Sequence, residues 1–303
     1  MKIGVPRGLF YHQYKPFVEG FFGELGIDVD FGAESGRKTL DIGNKHCVDE
    51  ACLPIKVYHG HVKSLSDVCD YVAVPRLMKT EFGESICPKF CGLPELVSSS
   101  RQIEEKLILT EPVELNKAGS FEAMLQKNMS RFGVKRKNFD QAIAAGVREQ
   151  ERHAMGLDEE DYPYKVFLAG HPYNIYDKYI NMNLIEKLHR LGIGVVTEER
   201  ITRGEKENEL TTLLRKPYWV FFVNIYGAGR ALIRKKKIDG ILFVSSFSCG
   251  TDSFTIEMLR NSIGDVPVLV IKLDELSGEA GYDTRLEAFQ TILESNQKRR
   301  LYS

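Results

Sequence analysis

The sequence predicts an α/β protein built as two three-layer domains with mostly parallel sheets. Three observations carry this expectation. Short apolar runs bounded by turn residues alternate with segments of helical spacing, the pattern of βαβ units. The 303 residues suit about two domains of roughly 150 residues each. A polar, charged stretch without a strand candidate, Lys117 to Leu157, interrupts the alternation. The expected division is residues 1–115 for an amino-terminal α/β domain, 116–158 for a helical connector and 159–303 for a carboxyl-terminal α/β domain.

The elements follow in order. KIGVP (2–6) reads as a short strand stopped by Pro6. Tyr14, Phe17, Val18, Phe21, Phe22 and Leu25 recur at helical spacing, and Gly26 closes the helix. IDVDF (27–31) alternates as a strand. Cys52 to Leu65 reads as a helix that tolerates Pro54 in its first turn. DYVAVP (70–75) is a buried strand, and a turn-rich loop runs on to Cys91. Leu93 to Val97 is a short helix and KLILTEPV (106–113) the next strand. In the second half VFLAG (166–170) is a strand, Asn181 to Leu191 a helix ended by Gly192, and IGVVT (193–197) a strand. Glu207 to Lys237 is helical with a break at Lys216-Pro217, because Pro disfavours helix at the residue before it. IDGILFVSS (238–246) is the strongest buried strand. Thr255 to Arg260 is helical, VPVLVIKLD (266–274) is a strand, and Thr284 to Arg299 is the closing helix, with Asp283 or Thr284 as its N-cap.

Composition narrows the partners. The formal net charge is −1, so no electrostatic case exists for a nucleic-acid or membrane partner. The opening residues MKIGVPRGLFYHQY lack the apolar stretch of a signal peptide. No run of about 18 apolar residues is present to span a membrane. Six cysteines without an export signal point to a reducing, cytoplasmic setting, where loop thiols are more often metal-binding or catalytic than disulfide-bonded.

Three of those cysteines stand in suggestive contexts: Cys52 in DEACLPIK, Cys87 in SICPKFCGLPE and Cys249 in VSSFSCGTDSF. Each occupies a loop where an extended run gives way to a helix. Such loops gather at the carboxyl edge of an α/β sheet, where ligands bind. Pro54 and Pro88 fix the chain direction after Cys52 and Cys87, and Gly250 lets the backbone after Cys249 pass close to a ligand. Three thiolates with an open fourth position suit an iron–sulfur cluster or a zinc ion. Cys69, at a helix-to-strand junction, reads as a small buried hydrophobe. Cys47 and Cys91 read as packing residues, with a spare-ligand or redox role left open. His59 and His61, two apart on one helix, face different sides and cannot share an ion. His171, in AGHPYN, follows a strand and is a candidate site residue. Arg7, Arg76, Lys79, Glu81 and Glu84 lie at or near strand ends, and Arg7, Arg76 and Lys79 together suit an anionic substrate such as a CoA thioester. Arg7, Arg76 and His171 are therefore the expected substrate-binding residues. No nucleotide cradle is visible: Gly227-Ala228-Gly229-Arg230 lacks the Lys-Ser or Lys-Thr pair of a P-loop, and GVPRG lacks the dinucleotide pattern.

The segments GVPRGLFYHQYKPFVEGFFGELG, VDEACLPIKVYHGHV, DYVAVPRL, CPKFCGLPELV, SSFSCGTDSF and KLDELSGEAGYDTRLEAF occur in this order. Together they resemble the uncharacterised family found beside, and fused to, the activases of 2-hydroxyacyl-CoA dehydratases. More distantly they resemble the dehydratase subunits and the double-cubane-cluster reductases. The resemblance extends over nearly the whole chain. It implies two flavodoxin-like or Rossmann-like domains with a helical part. It implies an oxygen-sensitive iron–sulfur cluster, of 4Fe–4S type, with Cys52, Cys87 and Cys249 at the matching ligand positions. It also implies an ATP-hydrolysing activase as the partner that injects one low-potential electron, an acyl-CoA or other small-molecule substrate, and a homo- or hetero-dimer. The chain departs from the fused proteins in lacking an actin-like ATPase portion, and it is shorter than the dehydratase subunits. Two alternatives stay open: a non-enzymatic iron–sulfur carrier or scaffold, and a zinc or metal-free small-molecule binder whose cysteines are core residues.

Overall fold

The computed structural model describes residues 1–99, 103–215 and 217–302. The chain forms two compact units, Met1–Ala154 and Met155–Ser303.

The first unit contains β1 (Lys2–Gly4), α1 (Tyr11–Glu24), β2 (Asp28–Asp30), α2 (Arg37–Asn44), α3 (Leu53–Ser66), β3 (Tyr71–Ala73), β4 (Arg76–Lys79), α4 (Pro88–Cys91), α5 (Leu93–Ser99), β5 (Leu107–Ile108), β6 (Pro112–Glu114), α6 (Ser120–Ser130) and α7 (Arg136–Arg152). Its main sheet has the order β2-β1-β3-β5, and every pairing is parallel. Parallel neighbours need crossover connections, which α1, then α2 with α3, then α4 with α5 provide. A small second sheet pairs β4 with β6. Helices α6 and α7 come from the polar stretch between the two α/β patterns. In this unit α7 lies along α1, with the Phe21 and Phe139 rings edge to face at 5.9 Å.

Several features of this unit differ from the sequence expectation: the stretch expected as a turn-rich loop up to Cys91 holds β4, which pairs with β6, and α4. Helix α2 is not expected from RKTLDIGN, which is short and polar, with Leu40 and Ile42 its only large apolar residues and only Leu40 and Gly43 buried. It is held by close backbone approach instead: a Cβ on Gly43 would lie 1.9 Å from the Lys56 carbonyl oxygen, and one on Gly60 would lie 2.0 Å from that of Thr39. The expected strand over residues 106–113 is broken into β5 and β6. Leu109 adopts φ 63°, and its amide turns to the Oδ1 of Asn128 at 3.1 Å.

The second unit contains β7 (Tyr164–Gly170), α8 (Pro172–Ile175), α9 (Leu184–Arg190), β8 (Ile193–Val196), α10 (Arg203–Leu210), α11 (Val220–Arg234), β9 (Gly240–Ser246), α12 (Gly250–Arg260), β10 (Val268–Leu273) and α13 (Glu279–Tyr302). Its sheet runs β10-β9-β7-β8, again all parallel. Counted along the chain, both sheets place the second strand beside the first, then the third, then the fourth. This is the flavodoxin-like order, with its switch point between the first and third strands. Those are β1 and β3 in one unit and β7 and β9 in the other. All seven residues of β9 are buried, as its apolar run predicts.

Helix ends account for most of the remaining differences. The helix expected from Asn181 begins at Leu184, because Met182 and Asn183 take positive φ and Asn181 Oδ1 accepts the Leu184 amide at 3.2 Å. The helix expected from Thr255 begins at Gly250, with Cys249 at its N-cap. Asp283 and Thr284 are not an N-cap: α13 begins at Glu279, and the Thr284 hydroxyl bonds back to the Ala280 carbonyl at 3.1 Å. Of the expected break at Lys216-Pro217, Lys216 lies outside the described residues; α10 ends at Leu210 and α11 starts at Val220. Among the described residues no helix is long and apolar enough to cross a membrane.

Candidate functional site

The switch point of the second unit carries a compact polar group. His171 directly follows β7, and Cys249 lies in the turn after β9. Cys249 caps α12 with extended backbone angles, φ −87° and ψ 101°, and Asp252 stands in the first turn of that helix. Residues three apart share a helix face, so the sulfur and the carboxylate point the same way. His171 Nε2 lies 2.6 Å from Asp252 Oδ1 and 4.0 Å from Cys249 Sγ. The imidazole stacks on Tyr173, with centroids 5.0 Å apart, and meets Phe221 edge to face at 4.0 Å. Both His171 and Asp252 are at most 2% exposed.

Electrostatics in this apolar box pair the two side chains as ions. Burial works against a charged ring, but the Asp252 carboxylate, by charge and by hydrogen bond, and Cys249 after it, raise the His171 pKa to about 10. Burial likewise opposes the Asp252 carboxylate, and the imidazolium beside it holds its pKa below the ordinary value. His171 Nδ1, Asp252 Oδ2 and Asn174 Nδ2 are buried without a hydrogen-bond partner among the described residues. One nitrogen, one sulfur and one carboxylate oxygen lie within 4.8 Å of one another, so the group can hold a metal ion. That donor set is one zinc accepts. Asp252 escaped the sequence reading. Its signal was the three-residue step from Cys249 within SCGTDSF.

In the first unit Cys52 caps α3 with φ −69° and ψ 153°, and Cys87 caps α4 with φ −50° and ψ 135°. Both thiols are half-buried. Burial pushes the Cys87 thiol up; the Lys89 amide lowers it, and negative charge on Cys52 raises it. Cys47 behaves alike: burial raises it, the Val48 amide and Lys56 lower it, and Cys52 raises it. Cys47, Cys52 and Cys87 therefore share one electrostatic neighbourhood with Lys56 and Lys89. The Cys91 thiol donates to the Leu77 carbonyl at 3.7 Å. Cys69 is 4% exposed and packs beside Gly4, as a small core residue does.

The other candidates are placed as follows. His59 and His61 are buried on different sides of α3. His59 faces the Ile55 carbonyl at 2.8 Å and that of Leu96 at 3.1 Å, and His61 faces the Ser35 hydroxyl at 2.9 Å. Arg7 follows β1, donates from Nε to the Gly32 carbonyl at 3.2 Å and lies over the Tyr11 ring. Arg76 opens β4, donates from Nε to the Thr110 carbonyl at 2.9 Å and pairs with Glu95. Gly227 is a packing residue: a Cβ there would meet Lys206 at 2.8 Å.

Two parallel sheets with thiol, imidazole and carboxylate groups at their carboxyl edges define a doubly wound α/β protein with donors gathered where such folds bind ligands. The chain belongs to the family of the CoA enzyme activase uncharacterised domain, whose model matches residues 2–201. The matched stretch includes Arg7, Cys52, Arg76, Cys87 and His171 and ends before Cys249 and Asp252. This membership associates the chain with the activases of CoA enzymes. No curated protein matches the chain.

Proposed function

We propose that this protein accepts a low-potential electron from a separate ATP-dependent activase, through an iron–sulfur cluster of 4Fe–4S type, for reductive or radical chemistry on an acyl-CoA or related small molecule. Cys52, Cys87 and Cys249 are the proposed ligands. One observation carries the choice. These three cysteines each hold the N-cap of a helix, whereas Cys47, Cys69 and Cys91 do not. Peptide N–H groups at a helix start point toward the capping residue and can bond to cluster sulfides.

The donor chemistry fits such a group. When bound, the cluster supplies one-electron transfer and a Lewis-acidic iron. Residues of this chain are proposed to do the rest. His171, kept protonated by Asp252, lies beside Cys249 Sγ and stores a proton at Nε2. Arg7 is proposed to hold the anionic part of the substrate, its Nε anchored on the Gly32 carbonyl, which sets the plane of its guanidinium.

The test is anaerobic purification followed by iron and acid-labile sulfide analysis. The expected result is a brown protein with both elements, lost on Cys52→Ser, Cys87→Ser or Cys249→Ser, and reducible by an activase with ATP. Unchanged iron content in Cys249→Ser would remove that residue from the ligand set. A second reading rests on the unpartnered buried atoms His171 Nδ1 and Asp252 Oδ2. It makes His171, Cys249 and Asp252 a mononuclear zinc-type site. Zinc without sulfide, lost on Asp252→Ala, would select it.

A further inference from the structure

We propose that the first unit binds a neutral, largely hydrocarbon small molecule in an apolar cavity at its own switch point. The cavity measures about 390 Å³, within the ~300–1,000 Å³ common for small-molecule sites. Residues just beyond β1 and β3 form one wall; α1, α6 and α7 form the others, through Phe17, Phe121, Leu125 and Val147 among others. No cysteine lines it. The site therefore requires neither cluster nor activase, and its test stands apart from that of the proposed function.

Charge decides the ligand class. Only Lys15, Arg76 and Glu151 bring ionised groups to the lining. Lys15 pairs with Glu19 at 2.7 Å and lies over the Phe31 ring; Arg76 pairs with Glu95 and with the Thr110 carbonyl. Glu151 is exposed and repels an anion. The amide of Gln150 is engaged with the Phe17 N–H and the Gln13 carbonyl. A carboxylate or phosphate ligand meets no uncommitted cation here, whereas a hydrocarbon meets aromatic and aliphatic carbon. Large apolar cavities exclude water and take apolar guests.

Backbone strain at the same wall argues against a mere packing fault. Leu9 and Leu109 both line the cavity, and both hold positive φ, 51° and 63°. A bulky L-residue in that region is unfavourable, and such strain gathers at ligand sites.

The experiment titrates the full chain, purified in air, with the neutral fluorophore N-phenyl-1-naphthylamine, and then displaces it with 1-decanol or with decanoate at neutral pH. The expected result is saturable one-site binding, with decanoate at least about tenfold weaker than decanol, a gap of ~1.4 kcal/mol. Val147→Trp at the partly open rim and Val18→Trp on α1 should each weaken binding by about tenfold or more with the far-ultraviolet circular dichroism unchanged. Two variants are used so that misfolding of one leaves the other decisive. A diazirine-bearing alkanol should label segments of α1 or α6 by mass spectrometry. Absence of saturable binding, decanoate binding as well as decanol, wild-type binding in a folded variant, or labelling confined to other segments would each overturn the proposal.

Discussion

His171 Nε2 lies 2.6 Å from Asp252 Oδ1, across 81 positions of sequence, with both side chains inside the second unit. The pair joins the loop after β7 to the first turn of α12, and so fixes where Cys249 stands relative to the sheet.

Asp252→Asn strands a buried imidazole and should destabilise the second unit by about 3–5 kcal/mol, measured by urea unfolding. The pH dependence follows from the two shifts. His171 is raised, so its contribution is complete below about 6.5 and is lost as pH rises through about 10. Asp252 is lowered, so its contribution is present above 3.8 and is lost as pH falls through its folded value. Wild-type stability should therefore decline between pH 6.5 and 10, and the variant should lose that slope. An unchanged slope would mean that the ion pair does not form in solution.

Gly60→Ala should disturb the seat of Cys52. The new methyl would collide with the Thr39 carbonyl, and backbone on both sides cannot yield cheaply. The expected cost is about 3 kcal/mol or more, at the upper end for overpacking. Thermal melting reads the loss, and faster alkylation of Cys52 reads the displacement of α3. A wild-type melting temperature would show that α2 moves aside.

His61 should make the first unit acid-sensitive. Burial, aided by the Arg7 charge, lowers its pKa from 6.5 to about 4. The unfolded chain then binds the extra proton first, so stability falls as pH drops from 6.5 toward 4. The full effect is on the order of 3 kcal/mol. His61→Gln keeps a polar partner for Ser35 and should flatten the profile in urea melts across this range. A slope equal to wild type would assign the acid sensitivity elsewhere.

Cys69→Ala should leave anaerobic iron and sulfide content unchanged while costing about 1 kcal/mol of stability. Its thiol is buried against Gly4 at the end of α3 opposite Cys52. A loss of iron in this variant would contradict its assignment as a packing residue.

The alternation of strand and helix was legible from local pattern, because β3, β7 and β9 are buried runs between turn residues and β10 is an apolar one. The turn of Cys249 was legible for a related reason, since it leaves the buried run of β9; Cys52 was not, because it joins α2 to α3 rather than leaving a strand. Helix starts were less so. Cys249 as an N-cap and Glu279 as the start of α13 depend on hydrogen bonds that residue type alone leaves open.

What the sequence determined by itself is therefore local: apolar strand runs, the turns that leave their carboxyl ends, and the His171 imidazole and Cys249 thiol in those turns. What the tertiary structure decided is which of these groups meet and in what state. Residues 171 and 252 become partners only because β7 and β9 are neighbours in the sheet. Helix α2 exists because two glycines admit a backbone-to-backbone approach. The long strand divides at Leu109, where Asn128 captures its amide. Each of these rests on the removal of water from groups far apart in the chain, and desolvation is a property of the packed interior rather than of any short stretch of residues.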